Sequence, residues 1–423
     1  MLSVEENEAL TRVGPGTPMG ELLRRYWFPV AASSELVTTE PSGGLHRGGT
    51  KAVRLLGEDL VLFRDLKGRL GLIEPQCAHR RVNLVYGMPT EQGIRCPYHG
   101  WMYDTDGRCV EQPFEEMMHA DGRFKSTVRL TAYRVEELGG LIFAYIGPEP
   151  APLLPRWDLL VWDNVIRDIE TIALDCNWVQ AMENSVDQVH TQWLHATYTG
   201  WITGKTRGIR NHQKIAFDEF EHGIMKRRLY VDEPEDSADW TTGHPILFPN
   251  ILRLGNQLQI RVPTDDEHTM HYLYTGHVAP PGVTAPAQDT IPIRKVAMYD
   301  EEGHQLLDFN QAQDTMAWVT QGPIARRDKE RLGESDIGVI MYRRMLQKQA
   351  AIVADGGDPL NVFRDPAKNR IIELPTERDP GTRPPRVVDG GVGGGGNVER
   401  RGSAEVQELL KRMYATAAST DRA

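Results

Sequence analysis

Apolar and polar positions alternate with a period of two over long tracts of this chain, and the period changes where helices are expected. KAVRLLGEDLVLFRD (51–65), GRLGLIEP (68–75) and LIFAYIG (141–147) read as short strands, with Gly57-Glu58-Asp59 and Lys67-Gly68-Arg69 as turn signals. Upstream, Thr17 is a good N-cap and Pro18 suits a first helical turn, which predicts a helix over Pro18 to Trp27. Pro148, Pro150, Pro152 and Pro155 mark a boundary. Beyond it ETIALDC (170–176) is a strand and a helix begins at about Asn177. The tracts KIAFDEFEHGIMKRRLYVDE, ILRLGNQLQIRV and MHYLYTGHVA make 212–280 strand-rich again. A helical run extends from about Asp314 to Asp355, with IGVIMYRRMLQKQAAIVA its clearest part. Residues 375–403 are loop-like, and AEVQELLKRMYATAA closes the chain as a helix. The pattern predicts four parts: a helical segment 1–27 that packs on the later domain, a small all-β domain 28–148, an α+β domain 149–374 with helices on an antiparallel sheet, and a linker plus helix 375–423.

Composition changes this picture little. The 423 residues leave room for two or three domains, and 40% apolar with 25% charged residues is ordinary for a globular protein. A net charge of −11 argues against a nucleic-acid surface. The opening MLSVEENEAL lacks the basic start and apolar run of a signal peptide, and no stretch is long enough to span a membrane, so a cytoplasmic location is expected. In that compartment disulfides are not expected among the four cysteines. Cys77 and Cys96 have histidines at short offsets, which points to metal; Cys109 and Cys176 read as small apolar residues near strands. Residues 390–396, GGVGGGG, contain a G-x-G-x-x-G pattern without the strand and acidic residue of a dinucleotide fold, and read as a linker.

Candidate chemistry sits in two motifs. The first is Cys77-Ala78-His79 with Cys96-Pro97-Tyr98-His99-Gly100-Trp101, where Pro97 and Gly100 favour a tight turn. Two thiolates and two imidazoles suit a two-iron, two-sulfur cluster, although the bare spacing leaves a zinc site open. The second is Asp187-Gln188-Val189-His190 followed by His195. Two histidines and a carboxylate on one face of Fe(II) leave room for dioxygen and substrate. On a regular helix, residues five apart point roughly 140° away from each other. Convergence of His190 and His195 on one ion therefore predicts a widened, π-like turn or a helix break between them.

The stretch CPYHGWMYDTDGRC (96–109) resembles the second cluster-binding loop of Rieske proteins. The order and spacing of both motifs resemble the α subunits of Rieske non-haem iron oxygenases. The blocks LTRVGPGTPMGELLRRYWFPV (10–30) and RRDKERLGESDIGVIMYRRML (326–346) are similar to the phthalate-dioxygenase-like branch. The resemblance implies an all-β Rieske [2Fe-2S] domain and a helix-grip catalytic domain. In it Cys77 and Cys96 hold one cluster iron and His79 and His99 the other. His190 and His195 bind a mononuclear Fe(II), and Asp187 bridges the two metal sites. The third iron ligand falls in Gln313-Asp314-Thr315-Met316, as Asp314, with Asp308 the runner-up. A head-to-tail homotrimer is implied, with a stacked hexamer as the larger alternative. The cluster of one subunit then serves the iron of its neighbour, and His79 or His99 hydrogen-bonds across the interface to Asp187. The chain has no credible NAD or flavin motif, so a separate reductase, with or without a ferredoxin, is the expected electron source. Arg80, Arg81 and Arg95 flank the cluster ligands as a docking patch for it, or as solvated loop charges.

GHPILFPNILRLGNQLQIRVP (243–263) and DPLNVFRD (358–365) resemble oxygenase components that O-demethylate lignin-derived biaryl acids, with dehydrodivanillate as type substrate. The implied reaction is hydroxylation of a methoxy carbon with release of formaldehyde. The alternative is ring cis-dihydroxylation of phthalate, phenoxybenzoate or a related aromatic acid. A Rieske electron carrier without catalysis is more distant, since it leaves the residues beyond 148 without a purpose. An acidic substrate wants a cationic fork. Lys205, Arg207, Arg253 and Arg261 are candidates for it, and Phe248, Trp240 and Trp318 for aromatic walls, against the plainer reading of surface and core residues.

Overall fold

The computed structural model describes residues 2–36, 49–204, 210–376, 386–388, 391–393 and 403–420. They divide into two compact units, Arg24–Leu154 and Met1–Leu23 with Pro155–Ala423.

The Arg24–Leu154 unit is mostly β. Its strands are β1 (Phe28–Ala32), β2 (Thr50–Leu55), β3 (Glu58–Arg64), β4 (Leu70–Ile73), β5 (Met88–Thr90), β6 (Gly93–Arg95), β7 (Met102–Tyr103), β8 (Cys109–Glu111), β9 (Ala132–Leu138) and β10 (Leu141–Tyr145). Six form one sheet in the order β1-β10-β9-β4-β3-β2, and β5 to β8 form a four-stranded meander. Val61, Phe63, Ile73, Leu84, Ile94, Tyr103 and Leu130 make a core that also takes in Cys77, Cys96 and Cys109. The alternation shows in β2, which buries Val53 and Leu55 and exposes Arg54, whereas β1 and β10 are buried along their whole length.

The other unit is built on eight strands. These are β11 (Val165–Leu174), β12 (His212–Phe220), β13 (Gly223–Tyr230), β14 (His244–Leu247), β15 (Ile251–Leu254), β16 (Gln257–Pro263), β17 (Thr269–Val278) and β18 (Ile293–Lys295). Their order is β12-β13-β14-β15-β16-β17-β11-β18. Neighbours are antiparallel except β18, which lies parallel to β11. The helix Trp178–Ser185 starts at an Asn177 N-cap whose side chain accepts from Val179 N and donates to the carbonyls of Thr11 and Asp266. Helices Asn310–Val319 and Ile337–Ala354 pack with it, and the helix Ala404–Thr420 buries Val406, Leu410 and Met413 against Ile166 of β11. A buried ionic knot joins these elements. Glu183 accepts two hydrogen bonds of 2.8 Å from Arg327 and one of 2.6 Å from Arg343, and Arg343 also pairs with Glu330. Gly338 is required where the long helix meets the end of the Asn177-capped one. A β-carbon there would lie 2.3 Å from the Val186 carbonyl oxygen and 2.4 Å from the Phe217 ring.

An all-β unit and an antiparallel sheet with helices are the architecture expected from the pattern. Local boundaries differ. The helix predicted over Pro18–Trp27 ends at Leu23, because the apolar run that follows enters the sheet as β1. Within the segment 1–27 expected to be helical, a first helix, Val4–Thr11, begins at a capping box of Ser3 and Glu6. The helical run from Asp314 is two helices, parted after Val319 by a turn with Gly322 at φ 91° and by Pro323. Within the stretch read as loop, Arg386–Val388 pairs with Gly391–Gly393. Among the described residues no helix is long and apolar enough to cross a membrane.

Candidate metal centres

The cluster motif occupies two loops of the β unit. One follows β4 and is closed by Cys77 N to Val82 O and Arg81 N to Cys77 O, each 2.9 Å. The other links β6 to β7 and is closed by Cys96 N to Trp101 O at 2.8 Å and Gly100 N to Cys96 O at 3.1 Å, with Gly100 at φ 77°. Cys77 and Cys96 are buried. Burial pushes the Cys96 thiol above its ordinary pKa, and the neighbouring Cys77 adds to the effect. The rings of His79 and His99 meet edge to face at 4.4 Å, and Trp101 stacks on His79 at 4.5 Å. His79 Nδ1 is buried without a hydrogen-bond partner. Burial, then His99, lowers the His79 pKa, which favours the neutral imidazole that a metal takes. Two thiols and two imidazoles, brought to adjoining loop tips with an orphaned ring nitrogen, fit a Rieske cluster. Tyr103, unmarked by the motif, places its hydroxyl 3.2 Å from Cys77 Sγ and accepts from Ala78 N at 3.1 Å.

In the other unit, the helix Trp178–Ser185 stops at Val186. A short turn His190–Gln192 follows, then a π-helix Trp193–Tyr198. The widened turn predicted from the five-residue spacing is therefore present, displaced so that it contains His195. His190, His195 and Asp314 come together with their ligand atoms all within 4.8 Å of one another. Asp314 Oδ1 lies 3.1 Å from His195 Nε2 and 3.8 Å from His190 Nε2. The outer nitrogens face other groups: His195 Nδ1 is 2.9 Å from Gln313 Oε1, and His190 Nδ1 is 3.4 Å from Asp187 Oδ2. Gln313 is itself held, donating to Thr199 Oγ1 and Leu307 O, and Asn184 donates to Asp314 Oδ1 at 3.3 Å. Burial pushes the Asp314 and Asp187 carboxyls up, but their histidine partners outweigh it and hold both below the usual range. Asp308 is exposed and stands outside the group.

The expected cationic fork is only partly supported. Lys205 and Arg207 lie outside the described residues. Arg253 is fully buried and engaged by Asp158 at 2.6 Å and by the Gly255 carbonyl, a structural role. Arg261 is buried and bonded to Gln259, yet Asp314 feels its charge. Lys226, a residue the sequence reading passed over within the alternating tract MKRRL, is buried on β13 in the field of Asp187 and Asp314. Burial and then Arg228 pull its pKa down to about 7. Of the aromatic candidates, Trp318 belongs to the core with Phe309 and Met298, Trp240 lies under Lys214, and Phe248 is buried. Arg95 is held by Glu111 and by the Gly100 carbonyl, and Arg81 by Glu74; Arg80 rests on the exposed Tyr98 ring.

Residues 26–127 match the family model described as Rieske [2Fe-2S] domain, and 295–370 the one described as LigXa C-terminal domain like. The 5,5'-dehydrodivanillate O-demethylase oxygenase subunit of Sphingobium sp. (strain NBRC 103272 / SYK-6) is 43% identical over 89% of this chain and 87% of its own length. The phenoxybenzoate dioxygenase subunit alpha of Ectopseudomonas oleovorans is 35% identical over 84% of this chain and 87% of its own. The fold is shared with the terminal oxygenase of carbazole 1,9a-dioxygenase from Novosphingobium sp. KA1, at a TM-score of 0.56 and 19% identity, covering 81% of this chain and 97% of that one. Identity at this level, along nearly the whole of both curated relatives, means that the chain belongs to the Rieske non-haem iron oxygenase α subunits, the terminal oxygenase enzymes that carry a [2Fe-2S] cluster and a mononuclear iron.

Proposed function

We propose that this oxygenase O-demethylates a methoxylated, lignin-derived aromatic or biaryl acid of the dehydrodivanillate kind. The observation that carries the reading is the 43% identity, over 89% of the chain, to an oxygenase subunit named for that reaction. The bound metals supply electron storage at the cluster and dioxygen activation at the iron. In balance, one O2, two electrons and two protons convert the methoxy carbon to a hydroxymethyl ether and one water. The ether then collapses to a phenol and formaldehyde.

In this reading Cys77, Cys96, His79 and His99 hold the cluster, and His190, His195 and Asp314 hold the iron. The donor chemistry supports both assignments: soft thiolates with imidazoles at one centre, two imidazoles with a carboxylate at the other. Gln313, as acceptor for His195 Nδ1–H, keeps Nε2 free to bind and fixes the ring. Asp187 lies 3.4 Å from His190 Nδ1, a charge contact without a hydrogen bond, and, in a head-to-tail trimer, is the link to a cluster histidine of the neighbouring subunit. We infer likewise that a separate reductase, alone or through a ferredoxin, supplies electrons from NAD(P)H, and that the reaction is cytoplasmic. Residues 28–148 then serve electron entry and 149–374 oxygen chemistry.

The test is product analysis with a surrogate reductase, NADH and oxygen on methoxylated biaryl acids, phenoxybenzoate and phthalate. Formaldehyde released in step with oxygen consumed is the expected result. A cis-diol without formaldehyde would make the enzyme a ring dioxygenase and overturn the substrate reading.

A further inference from the structure

Three basic side chains gather on β13 and β16: Lys226 and Arg261 act on the iron-site carboxylate Asp314, and Arg228 acts on Lys226. Two are already engaged. Arg228 Nε lies 3.1 Å from Asp239 Oδ2, and Arg261 donates to the carbonyl and side-chain oxygens of Gln259 at 3.0 and 2.8 Å. Lys226 is different. It is 5% exposed, and among the described residues its ammonium makes no hydrogen bond and no ion pair. Its neighbours across the sheet give it none: Phe217 faces it on β12, and on β14 stands His244, which approaches Asp239 instead. Phe217, which shares its sheet face, packs at Gly338 beside the Val186 carbonyl, one residue before Asp187, so the lysine lies on the face that meets the ligand-bearing segment, and its charge is felt by Asp187, Asp314 and His195.

A buried ammonium without a partner is costly, and a protein interior ordinarily pairs it or dispenses with it. The two carboxylates that feel it are occupied by histidines: Asp187 faces His190, and Asp314 faces His195. The bare site therefore favours the neutral amine, and a counter-charge that restores the ammonium has to arrive with a ligand. We propose that Lys226 recognises an anionic oxygen of the aromatic substrate, its carboxylate or its phenolate, and so sets the enzyme's preference for acids. The inference rests on the aromatic-acid reading above and adds the residue that selects for it. A single compact cation at the end of a flexible stem suits one oxygen, whereas a bidentate carboxylate clamp would call for arginine.

The experiment is anaerobic equilibrium binding to the metal-loaded enzyme, comparing the unaltered protein, Lys226→Met and Lys226→Arg. The ligands are 5,5'-dehydrodivanillate, its bis-carboxamide and its phenol methyl ether. Loss of one partner of a buried charge pair is expected to weaken the acid by about thirtyfold or more in Lys226→Met, with Lys226→Arg recovering much of it. The ligand that lacks the recognised anion is expected to bind the unaltered protein and Lys226→Met alike. If that is the amide, the carboxylate is the partner; if the ether, the phenolate. The melting temperature of Lys226→Met is expected to equal or exceed that of the unaltered protein, because an unpaired buried amine is removed. Equal binding of the acid by all three proteins would overturn the proposal, as would an equal loss of all three ligands together with a lowered melting temperature. Failure to bind the biaryl acid, with Lys226-dependent binding of phthalate in its place, would defeat the substrate reading and uphold the role of Lys226.

Discussion

His195 Nδ1 and Gln313 Oε1 lie 2.9 Å apart although they are 118 positions apart in the chain. The amide decides which imidazole nitrogen is left to bind: it accepts the Nδ1 proton, and Nε2 turns to Asp314 at 3.1 Å. Gln313→Leu keeps the bulk and deletes the acceptor. Iron affinity is expected to fall by roughly 10- to 100-fold while the cluster spectrum persists. Iron titration of the variant beside its visible spectrum checks this; full iron retention would show that the ring is oriented by packing alone.

Asp314→Ala and Asp187→Ala separate binding from linkage. Asp314→Ala is expected to lose the mononuclear iron and keep the cluster. Asp187→Ala is expected to keep both metals and lose turnover by roughly a hundredfold. Metal analysis and steady-state oxygen uptake distinguish the two patterns, and full activity in Asp187→Ala would sink the bridging role.

Tyr103 should tune the cluster. Once Cys77 is a thiolate, the hydroxyl 3.2 Å away can only donate, and that donation stabilises the more negative, reduced state of the cluster. Tyr103→Phe is therefore expected to lower the reduction potential by tens of millivolts, on the order set by hydrogen bonds to cluster sulfur. Spectroelectrochemical titration reads it directly; an unmoved or raised potential is the contrary result.

The ionic knot of Glu183 with Arg327 and Arg343 is structural. Glu183→Gln leaves two buried guanidiniums short of a counter-charge and is expected to cost about 3–5 kcal/mol. Denaturant unfolding followed by tryptophan fluorescence measures it.

Asp168 gives a pH dependence of known sign. Burial, with Glu170 adding to it, raises its folded-state pKa to about 7, against about 3.9 in an unfolded chain. Between those values the folded state holds the extra proton, so this residue's contribution to stability falls as pH rises from about 4 to 7 and levels off above. Asp168→Asn is expected to remove that slope and to be the more stable protein at pH 8. Melting curves at intervals from pH 5 to 8 test it; parallel slopes for the two proteins would mean that Asp168 ionises normally.

The two motifs were legible because their chemistry is local: Cys96 to His99 is one tight turn, and the spacing of His190 and His195 foretold the π-helix. Asp314 needed the resemblance to be singled out, since an aspartate near a helix start is ordinary. Gln313, Asn184 and Tyr103 were invisible, because each acts on a partner that only the fold brings near. Lys226 was hidden by its surroundings: in MKRRL it looks like one of three strand cations, and only burial separates it from Arg227. Helix ends went astray where local propensity yielded to packing, as at Leu23 and at Gly322-Pro323.

The π-helix over Trp193–Tyr198 has a consequence for how this scaffold can diversify. A π turn is an α turn with one residue too many, so the register of the two histidines is held by a single inserted position. Deleting or adding one residue between them would swing one imidazole by roughly 100° about the helix axis and away from the other. Length changes are barred from this segment, whereas a strand residue such as Lys226 can be exchanged without moving His190 or His195. New specificities should therefore arise as point substitutions on the sheet facing a ligand frame of fixed length.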